Sequence, residues 1–125
     1  MIYFVEAIGQ YRLKIGYTSN VAKRFETLRT ASPYPLRLVG AIPGEFDAEL
    51  AIHRFLRHHR VWGEWFALSS LVRQLVGFSI FVFCDQSVDL PNPEGLETSS
   101  DVICVVNEFV FGCLRTIVEA QHAPR

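Results

Sequence analysis

Five side chains in the first half of the chain are of types that carry out acid–base chemistry or bind anions: Tyr3, Lys14, Arg24, Glu49 and His53. Glu49 and His53 are four residues apart, so on a helix they project from one face. A carboxylate and an imidazole placed in this way can transfer protons or hold a metal ion. Arg24 is permanently charged, and its fork of N–H donors matches a phosphate group. These residue types would therefore suit chemistry at a phosphate.

The charges of the chain are unevenly distributed, although its formal net charge is only −1. Up to residue 66 there are nine lysines and arginines against six acids, and from residue 67 onward there are three against seven. A phosphate-binding surface would therefore lie in the first half. Half of the residues are hydrophobic and a fifth are charged, which excludes a disordered chain and predicts a globular fold.

Two β-forming runs separated by a Gly-Gln pair predict a hairpin over residues 2–17. With a loop at that pair, Tyr3 lies opposite Gly16 and Val5 lies opposite Lys14. Because directly opposed residues point to the same side of a sheet, the tyrosine, the lysine and the glycine would share one face.

A helix follows the hairpin, with Thr18, Ser19 or Asn20 as its cap, and it would place Arg24 one turn past its start. Residues 36–42 alternate well enough to form a third strand, and Pro and Gly end it. The predicted fold is of the α/β (α+β) class, with a small, mainly antiparallel sheet of three strands flanked by helices.

A second helix is predicted from residue 47 to about residue 59, and it carries the carboxylate and the imidazole on one face. Leu50, Ile52 and Phe55 are expected to reach the core from this helix. Residues 63–66, Gly-Glu-Trp-Phe, read as a turn followed by a short extended piece that closes the domain.

The second half of the chain is less informative. We expect a helical turn or two over residues 71–76, a short strand over 79–83, a loop over 86–100 and a helix over 101–120. The last helix has a wide apolar stripe, which predicts packing on the first domain or on a second copy, so that a homodimer is plausible.

The three cysteines, Cys84, Cys104 and Cys113, are odd in number and show no paired Cys-x-x-Cys spacing, so we interpret them as buried thiols in a reducing cytoplasm. No signal-peptide pattern opens the chain, and its longest apolar run, residues 75–84, is too short to span a bilayer. A cytoplasmic protein without membrane contact is expected.

Five separated elements together resemble the GIY-YIG nuclease superfamily. They are an Ile-Tyr that ends at Tyr3, a Lys-Ile-Gly at 14–16, Arg24 eight residues past that glycine, a Glu-x-x-x-His pair at 49–53, and Gly-Glu-Trp-Phe at 63–66. The last two elements resemble the compact branch related to phage T5 Orf172 and meiotically up-regulated protein 113. Their joint spacing is far more specific than any one of them alone.

The resemblance implies a nuclease domain over residues 1–67, followed by a C-terminal extension over 68–125. It implies a metal-dependent endonuclease that hydrolyses phosphodiester bonds in nucleic acid, expected to be DNA, and a phage or mobile-element origin. One divalent cation, Mg²⁺ or Mn²⁺, would be held by Glu49 and waters.

By the same resemblance, Arg24 would stabilise the phosphate and Tyr3 would act as the general base. A tyrosine needs help from a neighbouring cation at neutral pH, and Lys14 is the candidate. His53 could bind phosphate, bind metal or be structural. Further phosphate contacts are predicted at four basic residues, Lys23, Arg29, Arg54 and Arg57.

Three features depart from the superfamily pattern. Lys14 stands where the second motif usually begins with tyrosine, and Met1 replaces the glycine before Tyr3. The late asparagine of the superfamily has no clear counterpart. Glu64 and Tyr17 are possible substitutes, although Tyr17 would lie on the opposite strand face from Tyr3.

Each interpretation has an alternative. Trp62, Trp65 and Phe66 could stack on bases, but core positions are favoured; His58 and His59 are expected at the surface. The whole chain could be a catalytically inactive nucleic-acid-binding or regulatory module, or an interaction protein that uses its C-terminal part. Metal-dependent nicking would separate the nuclease from both alternatives.

Overall fold

The computed structural model describes residues 1–84 and 89–91 of the 125-residue chain. Within these residues there are five strands and three helices, followed along the chain as β1 (Ile2–Ala7), β2 (Arg12–Tyr17), α1 (Val21–Ala31), β3 (Leu36–Ile42), α2 (Phe46–Phe55), β4 (Arg60–Trp62), β5 (Trp65–Ala67) and α3 (Ser70–Cys84). A single 3₁₀ turn, Arg57–His59, joins α2 to β4.

The strands form one antiparallel sheet in the order β3-β1-β2-β5-β4. The predicted hairpin register is confirmed, because Tyr3 pairs with Gly16 and Val5 pairs with Lys14. The predicted third strand is confirmed as β3, which pairs with β1. The mixed helix and strand class is therefore correct, and the hairpin lies at the centre of the sheet.

The prediction of three strands was incomplete, because β5 adds to the free side of β2 and β4 adds to β5. Each of these strands has only three residues, which is too short for an alternating pattern to be recognised in the sequence. The pairing of β5 with β2 joins residues more than fifty positions apart in the chain, and such a long-range contact has no local signal. The turn expected at 63–66 closes this second hairpin.

The two faces of the sheet are covered by different helices. On one face, residues of β1, β2, α2 and α3 form the larger core cluster; its most enclosed large members are Phe4, Leu13, Ile15, Ile52, Phe66 and Leu75. On the other face, Tyr3, Val5, Ala7 and Leu36 form a smaller cluster under α1. Tyr3 thus belongs to the face that α1 covers.

Residues 79–83 are not a strand, because they continue α3. The run is rich in β-branched and aromatic residues, which favoured the strand prediction. However, Val72, Leu75, Val76 and Ile80 follow helical spacing, and all four are buried against the sheet. Burial of this stripe determines the helical structure.

The second helix was predicted in the right place but with two wrong core residues. Ile52 is buried as expected, whereas Leu50 and Phe55 have 41% and 37% of their surface exposed. Leu56, just past the end of α2, fills the core instead. The buried residues Glu49, Ile52 and Leu56 recur at helical spacing, and Leu50 and Phe55 lie to either side of that stripe.

The predicted loop at 86–100 lies largely, and the predicted helix at 101–120 entirely, outside the described residues, as do Cys104, Cys113 and the side chain of Cys84. The homodimer stays a prediction for the same reason. Among the residues that are described, no helix is long and apolar enough to cross a membrane.

Candidate active site

Tyr3 is held in a buried position beside Gly16 at the centre of the sheet. The two residues are opposed in the β1–β2 ladder, and a Cβ atom at Gly16 would overlap the phenol ring of Tyr3. The absence of a side chain at residue 16 therefore creates the space that the ring occupies. This explains in physical terms why a glycine closes the Lys-Ile-Gly motif.

Helix α1 brings Arg24 to the tyrosine. The helix begins at Val21 and is capped by Asn20, whose side chain accepts a hydrogen bond from the Lys23 backbone N–H at 3.1 Å. One turn into the helix, Arg24 Nε donates to the Tyr3 hydroxyl at 3.5 Å. The pKa of Arg24 is raised, first because Tyr3 accepts this bond, so the guanidinium remains a cation.

Lys14 lies on the same face as Tyr3 and forms an ion pair with Glu64. Its Nζ is 3.0 Å from Glu64 Oε2 and 5.6 Å from the ring centroid of Trp65. Glu64 is fixed by the second hairpin, because its backbone oxygen accepts a hydrogen bond from the Ile15 N–H at 3.1 Å. Gly63 has a φ of +54°, which permits the tight turn that presents this glutamate to the lysine.

Glu49 is a buried carboxylate in the first turn of α2, with only 4% of its surface exposed. The pKa of Glu49 is raised, first by burial and then by the negative charge of Glu64, whose side chain also hydrogen-bonds to it. His53 and Lys14 act in the opposite direction. Two carboxylates therefore lie against each other, with a lysine close to both.

His53 lies one turn beyond Glu49 and is bonded to the sheet. Its Nε2 is 2.8 Å from the Ile15 carbonyl oxygen, which can only accept, so Nε2 carries a proton and donates. The same nitrogen is 3.6 Å from Glu49 Oε1. The ring also meets Phe66 edge to face, with centroids 5.0 Å apart. In this arrangement Nε2 is not free to bind a metal, so His53 acts as a tether between α2 and β2.

The structure brings all five candidate residues together around Glu64, whose negative charge acts on Arg24 as well as on Glu49. The group consists of Tyr3, Lys14, Arg24, Glu49, His53 and Glu64. They come from β1, β2, α1, α2 and the β4–β5 turn. We call these six residues the central cluster. Glu64 was only a possible substitute in the sequence, and its signal was the Gly-Glu-Trp-Phe element.

Tyr17, the other possible substitute, lies elsewhere. Its hydroxyl donates to Glu45 Oε2 at 3.1 Å, and its ring meets Phe46 edge to face. This hydrogen bond is the first cause of a raised pKa for Tyr17. Because Tyr17 pairs with Ile2, it lies on the opposite face of the sheet from Tyr3, as the register predicted.

The four basic residues predicted to bind phosphates are exposed but are not gathered on one helix. Lys23 and Arg29 lie on α1, where Arg29 pairs with Glu26 at 2.8 Å. Arg54 and Arg57 lie at the end of α2 and in the 3₁₀ turn, on the other side of the sheet. Their contacts with nucleic acid stay a prediction.

The aromatic residues near the second hairpin differ from one another. Phe66 is buried in the larger core, as favoured. Trp65 is partly buried against the smaller cluster. The core interpretation is wrong for Trp62, because 79% of its surface is exposed. Its strand lies at the edge of the sheet, where no further element covers it within the described residues.

A metal ion would find few ligands here beyond the two carboxylates. In the part of the chain that the structure describes, no group of three or more His, Cys, Asp or Glu side chains is arranged to hold a metal. The carboxylates of the central cluster are those of Glu49 and Glu64. Hard cations such as Mg²⁺ prefer oxygen ligands, with waters completing the coordination shell.

Comparison with known proteins gives one match. No curated protein and no solved structure matches the chain. The T5orf172 domain matches residues 1–81, which include all six residues of the central cluster and most of α3. The resemblance to the T5 Orf172 branch is thereby confirmed, and the chain belongs to the T5orf172 domain family, a family of nuclease-like domains.

Proposed function

We propose that the chain is a metal-dependent endonuclease that hydrolyses phosphodiester bonds in DNA. The observation that carries this proposal is the convergence of two cations, two carboxylates and a tyrosine from five separate elements of the fold. A purely structural role would leave unexplained why a largely buried lysine, a buried glutamate and a second carboxylate share one small region.

The cations suit the charge of the substrate. Cleavage of a phosphodiester concentrates negative charge on the phosphoryl oxygens, and donors already in place stabilise that charge. Arg24 is held at the edge of the cluster by Tyr3, and it retains N–H donors beyond the one that Tyr3 uses. Lys14 is a second cation on the same face, and in this structure its charge is balanced by Glu64.

Tyr3 is the group proposed to take the proton from the attacking water. The oxygen of that water would add to phosphorus while the bond to the leaving oxygen breaks. Arg24 is the cation in contact with the phenolic oxygen, at 3.5 Å, whereas Lys14 contacts Glu64. The help that a tyrosine needs from a neighbouring charge would therefore come from Arg24.

The carboxylates fit one divalent cation, Mg²⁺ or Mn²⁺. Glu49 is buried against Glu64, and two negative charges in contact are unfavourable unless a cation or a proton separates them. We propose Glu49 as the metal ligand, with Glu64 as its neighbour. When bound, the ion would neutralise phosphate charge and favour deprotonation of water. His53 is proposed as a positioning residue, because it anchors α2 at the carboxylate.

The test is a plasmid-nicking assay with Mg²⁺ or Mn²⁺, with EDTA as one control. We expect cleavage by the wild type and none by Glu49→Gln, which keeps the size of the side chain and removes its charge. Glu6→Gln is the matched control, because Glu6 is an equally buried carboxylate that pairs with Arg37, away from the cluster.

Equal cleavage by wild type and Glu49→Gln would contradict the metal ligand. Salt-sensitive DNA binding by a folded wild-type protein, with no cleavage under any metal condition, would contradict the enzyme and indicate a binding module on the same fold.

A further inference from the structure

We propose that Trp62, Trp65 and Tyr34 form a stacking surface for unpaired bases of the strand that enters the central cluster. We call these three residues the aromatic row. This inference rests on the proposed function for the position of the scissile phosphate, and it adds a substrate class, namely nucleic acid with an unpaired segment beside the cut.

The exposure of Trp62 is the first observation. Tryptophan is highly buried on average in folded proteins, yet most of this side chain faces solvent. Trp62 pairs with Trp65 across the second hairpin, so the two indoles project to the same side of the sheet. That side is the one on which Lys14 lies, since Trp65 pairs with Lys14 in the neighbouring ladder.

A cavity continues the row beyond Trp65. It has a volume of about 370 Å³ and is lined by Trp65, Tyr34 and Arg12, with Gln10 and Ser32 among the polar groups. Tyr34 is half exposed, in the segment that joins α1 to β3. Two aromatic side chains, a cation and polar hydrogen-bonding groups match the apolar faces and polar edge of a nucleobase.

Cations lie beside the row, as a nucleic-acid strand requires. Lys14 Nζ is 5.6 Å from the Trp65 ring, and Arg12 lines the cavity. Arg12 donates one hydrogen bond to the Tyr11 carbonyl oxygen at 3.2 Å, and a guanidinium has five N–H donors, so others are available for a phosphate or a base edge. Aromatic side chains combined with a basic groove are the usual means of binding single strands.

The geometry connects the row to the central cluster. Arg12 and Lys14 are two residues apart on β2, about 6.6 Å along the strand. That distance corresponds to about two nucleotides at the 3.4 Å spacing of one stacked DNA strand. A phosphate near Lys14 and Arg24 would therefore place a neighbouring base at Trp65 or in the cavity. Bases within an intact duplex have no free face, so only unpaired bases could stack there.

The experiment measures binding of the full chain to fluorescent oligo(dT), oligo(rU) and a DNA duplex of equal length, with EDTA present so that nothing is cut. Trp62→Ala and Tyr34→Ala should each weaken binding to at least one of the single strands by about 5- to 150-fold, the loss caused by removing one base–aromatic stack. Duplex binding should change less than 2-fold. Trp62→Phe should restore most of the affinity.

The matched control is Phe78→Ala, an exposed aromatic on α3 at the opposite face of the sheet, which should leave single-strand binding unchanged. Thermal unfolding of every variant is followed by circular dichroism. Unchanged single-strand binding in folded Trp62→Ala and Tyr34→Ala would overturn the proposal, as would an equal loss for duplex and single strand. If Trp62→Ala lost self-association while its single-strand binding stayed unchanged, the aromatic row would be a contact with a second copy of the chain, and the proposal would be overturned.

The nicking assay keeps this inference separate from the proposed function. A wild type that does not cut but loses oligo(dT) affinity on Trp62→Ala would overturn the endonuclease and retain the stacking surface. A wild type that cuts, with Trp62→Ala binding oligo(dT) and oligo(rU) equally well, would retain the endonuclease and overturn the surface.

Discussion

The two faces of the sheet differ in how many apolar side chains they bury. The face under α2 and α3 carries the larger cluster of fully buried apolar side chains, whereas the face under α1 has four buried members and α1 itself has no buried residue. Buried apolar area is the main source of stability, so the first face holds the fold together. The second face is thinly packed, and at its edge the exposed Arg24 contacts the buried Tyr3.

Two buried glutamates, Glu6 and Glu49, differ in the same way between a structural and a candidate catalytic environment. Glu6 pairs with Arg37 at 3.0 Å, and this arginine also donates to the Asp89 carbonyl oxygen at 3.3 Å. Glu49 lies against another carboxylate, and its ionised form is disfavoured by burial and by that neighbour. One buried carboxylate is therefore paired with an arginine, whereas the surroundings of the other disfavour its ionised form. Buried carboxylates of equal exposure can thus be structural or functional according to what they contact.

The largest expected effect is on stability and concerns the first face. Phe4→Ala should lower the free energy of unfolding by about 3–5 kcal/mol, because it leaves a cavity in the larger core. Phe25→Ala, which truncates a partly buried side chain of α1 that packs on the smaller cluster, should cost less than half as much. Urea unfolding measures both. Equal losses would show that the two faces contribute alike to the fold.

The next effect concerns activity. Arg24→Ala should lower the nicking rate about 100- to 1000-fold, the usual loss when one prepositioned donor to a developing charge is removed. Its unfolding free energy should change by no more than about 0.5 kcal/mol, because the residue lies on the thinly packed face. Arg24→Lys should recover part of the rate, since it keeps the charge and loses the fork. A large stability loss in either variant would make Arg24 structural.

Gly16→Ala should lower both the stability of the fold and the nicking activity. The added Cβ would overlap the Tyr3 ring, and such overpacking costs about 1–3 kcal/mol. Because the ring must move away from Arg24, nicking should fall as well. In a Tyr3→Ala background, Gly16→Ala should cost no further stability, because no ring remains for the Cβ to overlap, and activity should stay lost. Additive stability losses in that double variant would show that the two residues are independent.

Replacing each of the two buried glutamates with glutamine should change the free energy of unfolding in opposite directions near pH 7 in the absence of metal. Glu6→Gln should lose about 1 kcal/mol, because it removes the charge from a buried ion pair. Glu49→Gln should be more stable than the wild type. A carboxyl whose folded pKa is raised above its ordinary value of 4.5 loses stability as pH rises through that window. The advantage of Glu49→Gln should therefore disappear below about pH 4, which thermal unfolding at several pH values would reveal.

The smallest effect should come from His59, which supports the first face by bonding to Ser69 near the start of α3 at 2.9 Å. The pKa of His59 is lowered, first by burial and then by His58. A lowered folded pKa means that stability is complete above about pH 6.5 and falls as pH drops through that value. His59→Gln should lose less stability than the wild type between pH 7.5 and 5.5. Parallel pH profiles would contradict this assignment.

Much of the first sheet and of the central cluster was predictable because the signals are local. The Gly-Gln loop set the hairpin register, and Tyr3 and Lys14 followed from it on the correct face. The four-residue spacing placed Glu49 and His53 on one side of α2. These elements are each determined by contacts between residues close in sequence.

The remaining parts depend on long-range contacts. The strands β4 and β5 are too short to show a pattern, and without them the ion pair between Glu64 and Lys14 has no basis in the sequence. The exposure of Trp62 follows from an edge position that only the completed sheet defines. Residues 79–83 were misread because burial, not β propensity, determines their structure.

The central cluster joins residues that are far apart in the chain, from Tyr3 to Glu64. During synthesis the hairpin and α1 emerge first, and they carry only the tyrosine, the lysine and the arginine. The carboxylates arrive later, and Glu64 is positioned only when the second hairpin pairs with β2. A chain that ends before β5 would therefore contain the tyrosine, the lysine and the arginine without an assembled central cluster.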